Sequence, residues 1–101
     1  MILRFFRAEV HPGSQEEFRR FFLDKALPNI RRQKGLVSVM VGLPRPEAPC
    51  EFSMCMVWRD VEAIKGFAGE NWNKAVIDPD EVHLLSQTHL YHYDLAAETP
   101  A

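Results

Sequence analysis

His92 is followed directly by Tyr93 in a stretch where polar and apolar residues alternate, and this pair is the strongest candidate for proton chemistry in the chain. An imidazole on a half-buried strand titrates near neutrality and can take a proton, while Tyr93 or Tyr91 can donate to an oxyanion. A histidine held by backbone, or by a carboxylate across a subunit seam, would satisfy the same pattern. His89 falls on the other side of the strand from His92, because strand side chains alternate, and His11 lies in a His-Pro-Gly turn. A second constellation is the apolar stripe Met54, Met56 and Trp58, which with Phe67 could line a pocket for a flat organic molecule or simply fill a core. Arg7 completes the set, as a binder of an anionic substrate or as half of an ion pair.

Other chemistries lack their signatures. No Cys-x-x-Cys or His-x-x-x-His occurs, and the four histidines form no recognisable zinc motif. Gly66-Phe-Ala-Gly69 lacks the spacing and the lysine of a phosphate loop. Metal hydrolysis and acyl-enzyme chemistry therefore have no sequence support, and no cofactor or metal is expected. A net charge of −2 and a pI near 6.1 leave no electrostatic footprint for nucleic acid or for an anionic membrane surface. No segment reads as an export signal or a membrane span, so a cytoplasmic protein is expected. Cys50 and Cys55 lie roughly 16 Å apart if extended, at ~3.3 Å per residue, too far to bond, and are expected to be reduced.

These side chains must be positioned by a small number of elements. Glu51 to Trp58 alternates as a strand and runs into a helix capped by Asp60, with Val61, Ile64 and Ala68 at helical spacing. Residues 2–10 form a first strand with Ile2, Phe6, Ala8 and Val10 on one face, which Arg4 interrupts. Burying Arg4 or Arg7 would demand a carboxylate such as Glu9, Glu51 or Asp94. Ser14 and Glu17 fit a capping box opening a helix over 15–33, whose face carries Phe18, Phe21, Phe22, Ala26 and Ile30; Pro28 should kink or divide it. A strand over 36–43 places Val37, Val39, Val41 and Leu43 on one face and Leu36 and Met40 on the other. A proline-rich loop follows at 44–49, a further short helical turn is expected over 70–77, and Glu70 and Asp78 lie where a loop could close over a pocket. The last strand covers 86–95, and 96–101 reads as a flexible tail.

One domain over 1–101 follows, in the α+β class: a ferredoxin-like β-α-β-β-α-β unit whose helices cover one face of an antiparallel sheet. The other face keeps Leu3, Phe5, Leu36, Met40, Cys55, Val57 and Leu90 as apolar candidates. A patch of that extent predicts a homodimer joined sheet to sheet.

Trp58-Arg-Asp, the following Glu62-Ala-Ile64, Phe67-Ala-Gly-Glu70, Ala75 through Glu81 and His92-Tyr-Asp94, with His11-Pro-Gly13 and Leu27-Pro28, resemble the antibiotic biosynthesis monooxygenase family. The similarity spans nearly the whole chain. It implies a dimeric α/β barrel and a cofactor-independent monooxygenase acting on a small aromatic or quinone-like compound. In the better understood relatives the substrate is deprotonated to a carbanion that itself passes an electron to dioxygen. A tryptophan matched here by Trp58 works there with an asparagine four residues earlier; that position is Met54, whose thioether cannot donate. Haem-degrading relatives use a first-strand asparagine, absent here, and a helical histidine, near whose position His83 falls. The expectation is thus a monooxygenase with His92 as acid-base group and Trp58, Met54, Met56, Phe67, Tyr93 and Arg7 as substrate contacts. A noncatalytic small-ligand-binding or stress-linked dimeric barrel is the alternative, and a haem-binding relative comes third.

Overall fold

The computed structural model describes residues 1–101. Four strands, β1 (Ile2–Val10), β2 (Leu36–Gly42), β3 (Glu51–Trp58) and β4 (Leu85–Asp94), form one antiparallel sheet in the order β2-β3-β1-β4. Helical segments α1 (Gln15–Phe21), α2 (Leu27–Arg31) and α3 (Val61–Ala68) connect them. This is the expected α+β, ferredoxin-like arrangement.

Alternation along β1 and β3 decides the core. Arg4 lies opposite Met56, Phe6 opposite Met54 and Ala8 opposite Phe52, which puts the even-numbered residues of both strands on the helix-covered face. Phe18 and Phe22 close over Phe52, with ring centroids 4.8 and 5.8 Å from it. Each such buried phenyl ring contributes on the order of 1.5–3 kcal/mol through lost contact with water.

The first helix passes Pro28 without breaking. Between α1 and α2 the chain widens into a π-helical turn, Phe22–Ala26, where the Leu27 N–H donates to the Phe22 carbonyl five residues back. Proline has no N–H for the Asp24 carbonyl four residues before it, and the wider turn absorbs that missing bond. The expected capping box is not made: the Ser14 side chain caps nothing, and the Gly13 N–H instead donates to Gln15 Oε1 at 2.8 Å. Asp60 does cap α3, accepting from the Ala63 N–H at 2.8 Å, and this bond holds its carboxyl below the usual range.

Two residues change face. The pairing of β2 with β3 slips between Leu36 and Ser38, so Val37 bulges outward and is exposed, while Leu36 turns in opposite Trp58 and packs on the core. Leu90 pairs with Phe6 and looks toward the helices, not outward. The open face of the sheet still carries Leu3, Phe5, Cys55 and Val57, with Met40, Tyr91 and Tyr93 exposed at 66, 47 and 53 %. Cys50 and Cys55 are free thiols, and burial pushes that of Cys55 up.

Between α3 and β4 the expected helical turn over 70–77 is an irregular loop, followed by a 3-10 turn at Val82–Leu84. Residues 96–101 belong to no regular element. No helix is long and apolar enough to cross a membrane.

Candidate functional site

The sheet, the first helix and the loop after α3 do not close completely on one another. They enclose a cavity of about 490 Å³, eleven of whose eighteen lining residues are apolar. Met54, Met56, Phe6 and Leu90 form its floor; Phe21, Phe22, Ala26 and Ile30 supply the helical wall; Val76, Ile77 and Pro79 form the roof. Such a volume, apolar over most of its lining and charged at a few points, suits a flat molecule of two or three rings that carries a polar group.

Arg4 stands in the floor. It is only 2 % exposed and has no carboxylate partner, contrary to the expectation that burial would require one. Its Nη1 donates to the Trp72 carbonyl at 2.5 Å and lies 2.8 Å from His92 Nε2, while Nη2 reaches the Lys74 carbonyl at 3.4 Å. The irregular loop explains this arrangement, because carbonyls free of helical bonding are available to the guanidinium. Nε is buried and without a partner. Loss of hydration brings the Arg4 pKa down to about 10, so the group stays cationic at neutral pH.

His92 is tied to Arg4 and does not line the main cavity. Arginine only donates, so Nε2 must accept and the ring proton resides on Nδ1. Burial, reinforced by the Arg4 charge, lowers the imidazole pKa, which keeps it neutral. The ring sits edge-on to Trp72, centroids 5.0 Å apart, beside a smaller hollow that Tyr93 also borders.

The other sequence candidates divide by face. Met54, Met56 and Phe67 line the cavity. Trp58 is fully buried behind Phe67, its ring stacked at 5.5 Å, and its Nε1 has no hydrogen-bond partner. Tyr93 and Arg7 belong to the open face of the sheet and do not line the cavity, and Arg7 lies 3.4 Å from Glu51. His83 is on the outer surface, 3.4 Å from Glu17. Glu70 is exposed, whereas Asp78 helps line the cavity.

Sequence reasoning missed Glu81. It is 6 % exposed, lines the cavity and accepts from the Asp78 N–H at 2.9 Å through Oε2. Burial raises its pKa against the opposing effect of that bond. Nothing local in Asp78-Pro-Asp-Glu81 signals burial, since the same letters suit an exposed turn. Lys25 ties this loop to the π-helical turn through Asp78 and Asp80.

A ferredoxin-like antiparallel sheet with a mostly apolar chamber under its helices, and a buried guanidinium in the chamber floor, defines an α+β protein of the ferredoxin-like class. The sequence profile described as Antibiotic biosynthesis monooxygenase matches residues 1–76, and the chain belongs to that family. No curated protein matches it. Among solved structures it is similar to a candidate antibiotic biosynthesis monooxygenase from Deinococcus radiodurans, with a TM-score of 0.76, 12 % identity and coverage of 100 % of this chain and 98 % of that one. SnoaB, a cofactor-independent oxygenase from Streptomyces nogalater, gives a TM-score of 0.71 and 22 % identity over 99 % of this chain and 97 % of its own. A variant of MhuD with two manganese protoporphyrin IX molecules per active site gives 0.74 and 12 % over the whole of both chains. At these identities the likeness is one of fold.

Proposed function

We propose that this protein is a cofactor-independent monooxygenase of small, flat, weakly acidic aromatic or quinone-like compounds, acting as a cytoplasmic homodimer joined through the open face of the sheet. The observation that carries the reading is a guanidinium without a carboxylate, set in the floor of a largely apolar cavity. A fixed cation in low-dielectric surroundings favours the anionic form of a bound ligand over the neutral one. Losing a proton from a ring C–H or O–H gives such an anion. It passes one electron to dioxygen, the resulting pair recombines, and loss of water leaves a new ring carbonyl. One oxygen atom enters the product and the other leaves as water.

The chain's own residues bind and desolvate. Met54, Met56 and Phe67 flank the ring system, Arg4 holds the developing oxyanion, and His92 fixes Arg4 through Nε2. His92, the acid-base candidate of the sequence, is thereby a positioning residue in this proposal. The exposed Met40, Tyr91 and Tyr93 support the dimer, since such apolar area is seldom left wet. The surface position of His83 gives a haem reading no support.

Oxygen uptake with a panel of anthrones and hydroquinones tests the activity, comparing the wild type with Arg4→Lys. Lysine keeps a charge but lacks the planar fork by which Arg4 spans Trp72, Lys74 and His92, and kcat/KM should fall by about 10²-fold. Uptake no faster than in buffer, or an Arg4→Lys variant equal to wild type, defeats the proposal; tight binding without uptake would leave a noncatalytic binding protein.

A further inference from the structure

Arg4 and Glu81 are the two charged side chains that the fold buries, and both line the same cavity. Neither has a salt-bridge partner: the ion pairs of this chain all join other residues. Burial of unpaired charge is unfavourable, and the usual structural justification, mutual neutralisation, is missing for both. They also come from different walls, Arg4 from β1 in the floor and Glu81 from the loop that forms the roof. A molecule filling the space between would meet a cation on one side and a carboxylate on the other.

The carboxylate is aimed as well as buried. Asp78 N–H fixes Oε2 at 2.9 Å, and the backbone of Glu81 is held on both sides, its N–H donating to the Asp78 carbonyl at 3.0 Å and its carbonyl accepting from the Leu84 N–H at 2.9 Å. Oε1 takes part in no hydrogen bond and is not sealed off. Meanwhile His92, the other basic group nearby, has its Nε2 lone pair occupied by Arg4. The charged groups facing the same space are Lys25 on the π-helical turn, Arg32 after α2, and Asp78 on Glu81's own loop; Lys25 is engaged with Asp78 and Asp80.

We infer that Glu81 is the proton acceptor of this cavity, for ligands with a weakly acidic ring C–H or O–H whose conjugate base comes to rest against Arg4. The inference rests on the proposed binding of acidic aromatics but not on oxygen chemistry. In the step, Glu81 Oε1 takes the proton, the electron pair of the broken C–H or O–H bond stays on the ligand, and the carboxylate becomes a carboxylic acid. The net charge of the cavity is unchanged. Negative charge moves from the roof to the floor, where the guanidinium holds it. Desolvation makes Glu81 a stronger base than an exposed glutamate, which favours the transfer.

The test is proton exchange without oxygen. Anthrone in D2O under nitrogen is incubated with intact protein, and loss of its ring CH2 signal is followed by proton NMR. Wild type should accelerate exchange by about 10²-fold or more over buffer, and Glu81→Gln should remove most of that acceleration. The amide keeps an acceptor for the Asp78 N–H, so the fold is retained; affinity for 9,10-anthraquinone, which has no acidic proton, should stay within about threefold of wild type. Exchange in Glu81→Gln equal to wild type, or no acceleration by wild type, overturns the assignment. Exchange by wild type that Glu81→Gln removes, without oxygen uptake by wild type, supports Glu81 and defeats the oxygenase reading. Uptake by wild type with exchange indifferent to Glu81→Gln defeats Glu81 alone.

Discussion

Arg4 and His92 sit directly opposite each other on neighbouring strands, with Arg4 Nη1 2.8 Å from His92 Nε2. The contact is favourable only while the imidazole is neutral, because a protonated ring would present an N–H to an N–H and a second cation to the first. It fixes both the tautomer and the charge of His92, and it holds the guanidinium in the cavity floor.

A pH dependence of stability follows. Burial, then the Arg4 charge, lower the folded-state pKa of His92 below its ordinary 6.5. The unfolded chain therefore binds the proton more readily, and the contribution present above about pH 6.5 is lost as pH falls through the folded value. Thermal unfolding midpoints should drop on acidification below pH 6.5 in wild type, and the drop should shrink in His92→Gln, whose amide oxygen can still accept from Arg4. Nitrogen NMR at pH 7 should place the ring proton on Nδ1; finding it on Nε2 would refute the geometry.

Phe67 and Trp58 separate wall from support. Phe67 lines the cavity and Trp58 stacks behind it at 5.5 Å. Replacing Phe67 with leucine should weaken 9,10-anthraquinone binding about two- to tenfold, the worth of one aromatic contact of about 0.5–1.5 kcal/mol. Trp58→Phe should leave that affinity within about twofold and show instead as a lower unfolding midpoint, moderated because it also removes a buried N–H that has no partner. Titration by fluorescence or calorimetry decides; a larger affinity loss in Trp58→Phe would mean that the tryptophan touches the ligand.

What is legible in the sequence is local. Periods of two and of three to four locate the strands and the apolar helix face of Phe18, Phe22 and Ile30, and Asp60 announces the start of α3. Those signals act over a few residues. Alternation assigns Leu36 and Val37 to each other's faces, because a one-residue bulge inverts a strand's pattern without altering its composition. Arg4 is visible as an interruption of an apolar face. Its partners are not, because the Trp72 and Lys74 carbonyls are 68 and 70 residues away and are available only where the loop is not helical. Glu81 is illegible for the same reason: its burial is a property of the cavity that the loop roofs. The strand stripe of Met54 and Met56 can be read as pocket wall or as core, and only the spacing between sheet and helix, set by side chains on both, separates the two.

Two glycines make a paired stability test of opposite sign. Gly35, at φ +84°, accepts from the Arg59 N–H at 2.8 Å, and a Cβ there would overlap Ala63 Cβ. Gly35→Ala should therefore destabilise by about 2–4 kcal/mol, combining left-handed strain with overpacking between the start of β2 and α3. Gly66, inside α3, has no atom beyond its chain neighbours and its own helix backbone within 4 Å of the position a methyl group would take and no unusual φ, so Gly66→Ala should stabilise by about 0.5–1 kcal/mol through helix propensity and reduced unfolded-state entropy. Urea melts of both variants check the pair, and equal midpoints would show that α3 does not pack as described.

Glu81 allows the cavity's electrostatics to be read from stability alone. Its folded-state pKa is raised above the usual 4.5, chiefly by burial. The folded chain then holds that proton more tightly than the unfolded chain, so its contribution favours folding at low pH and is lost as pH rises through the folded value. At pH 8 the wild type carries a desolvated carboxylate that Glu81→Gln does not, while the amide can still accept from the Asp78 N–H. The variant should therefore melt about 2–8 °C higher than wild type at pH 8, with the gap closing toward pH 4. A carboxylate that served only to cap the Asp78 turn would predict the reverse order, because the charged acceptor makes the stronger bond. Scanning calorimetry of both proteins from pH 4 to 8 separates the two, and a lower melting point for Glu81→Gln throughout would show that the group is structural.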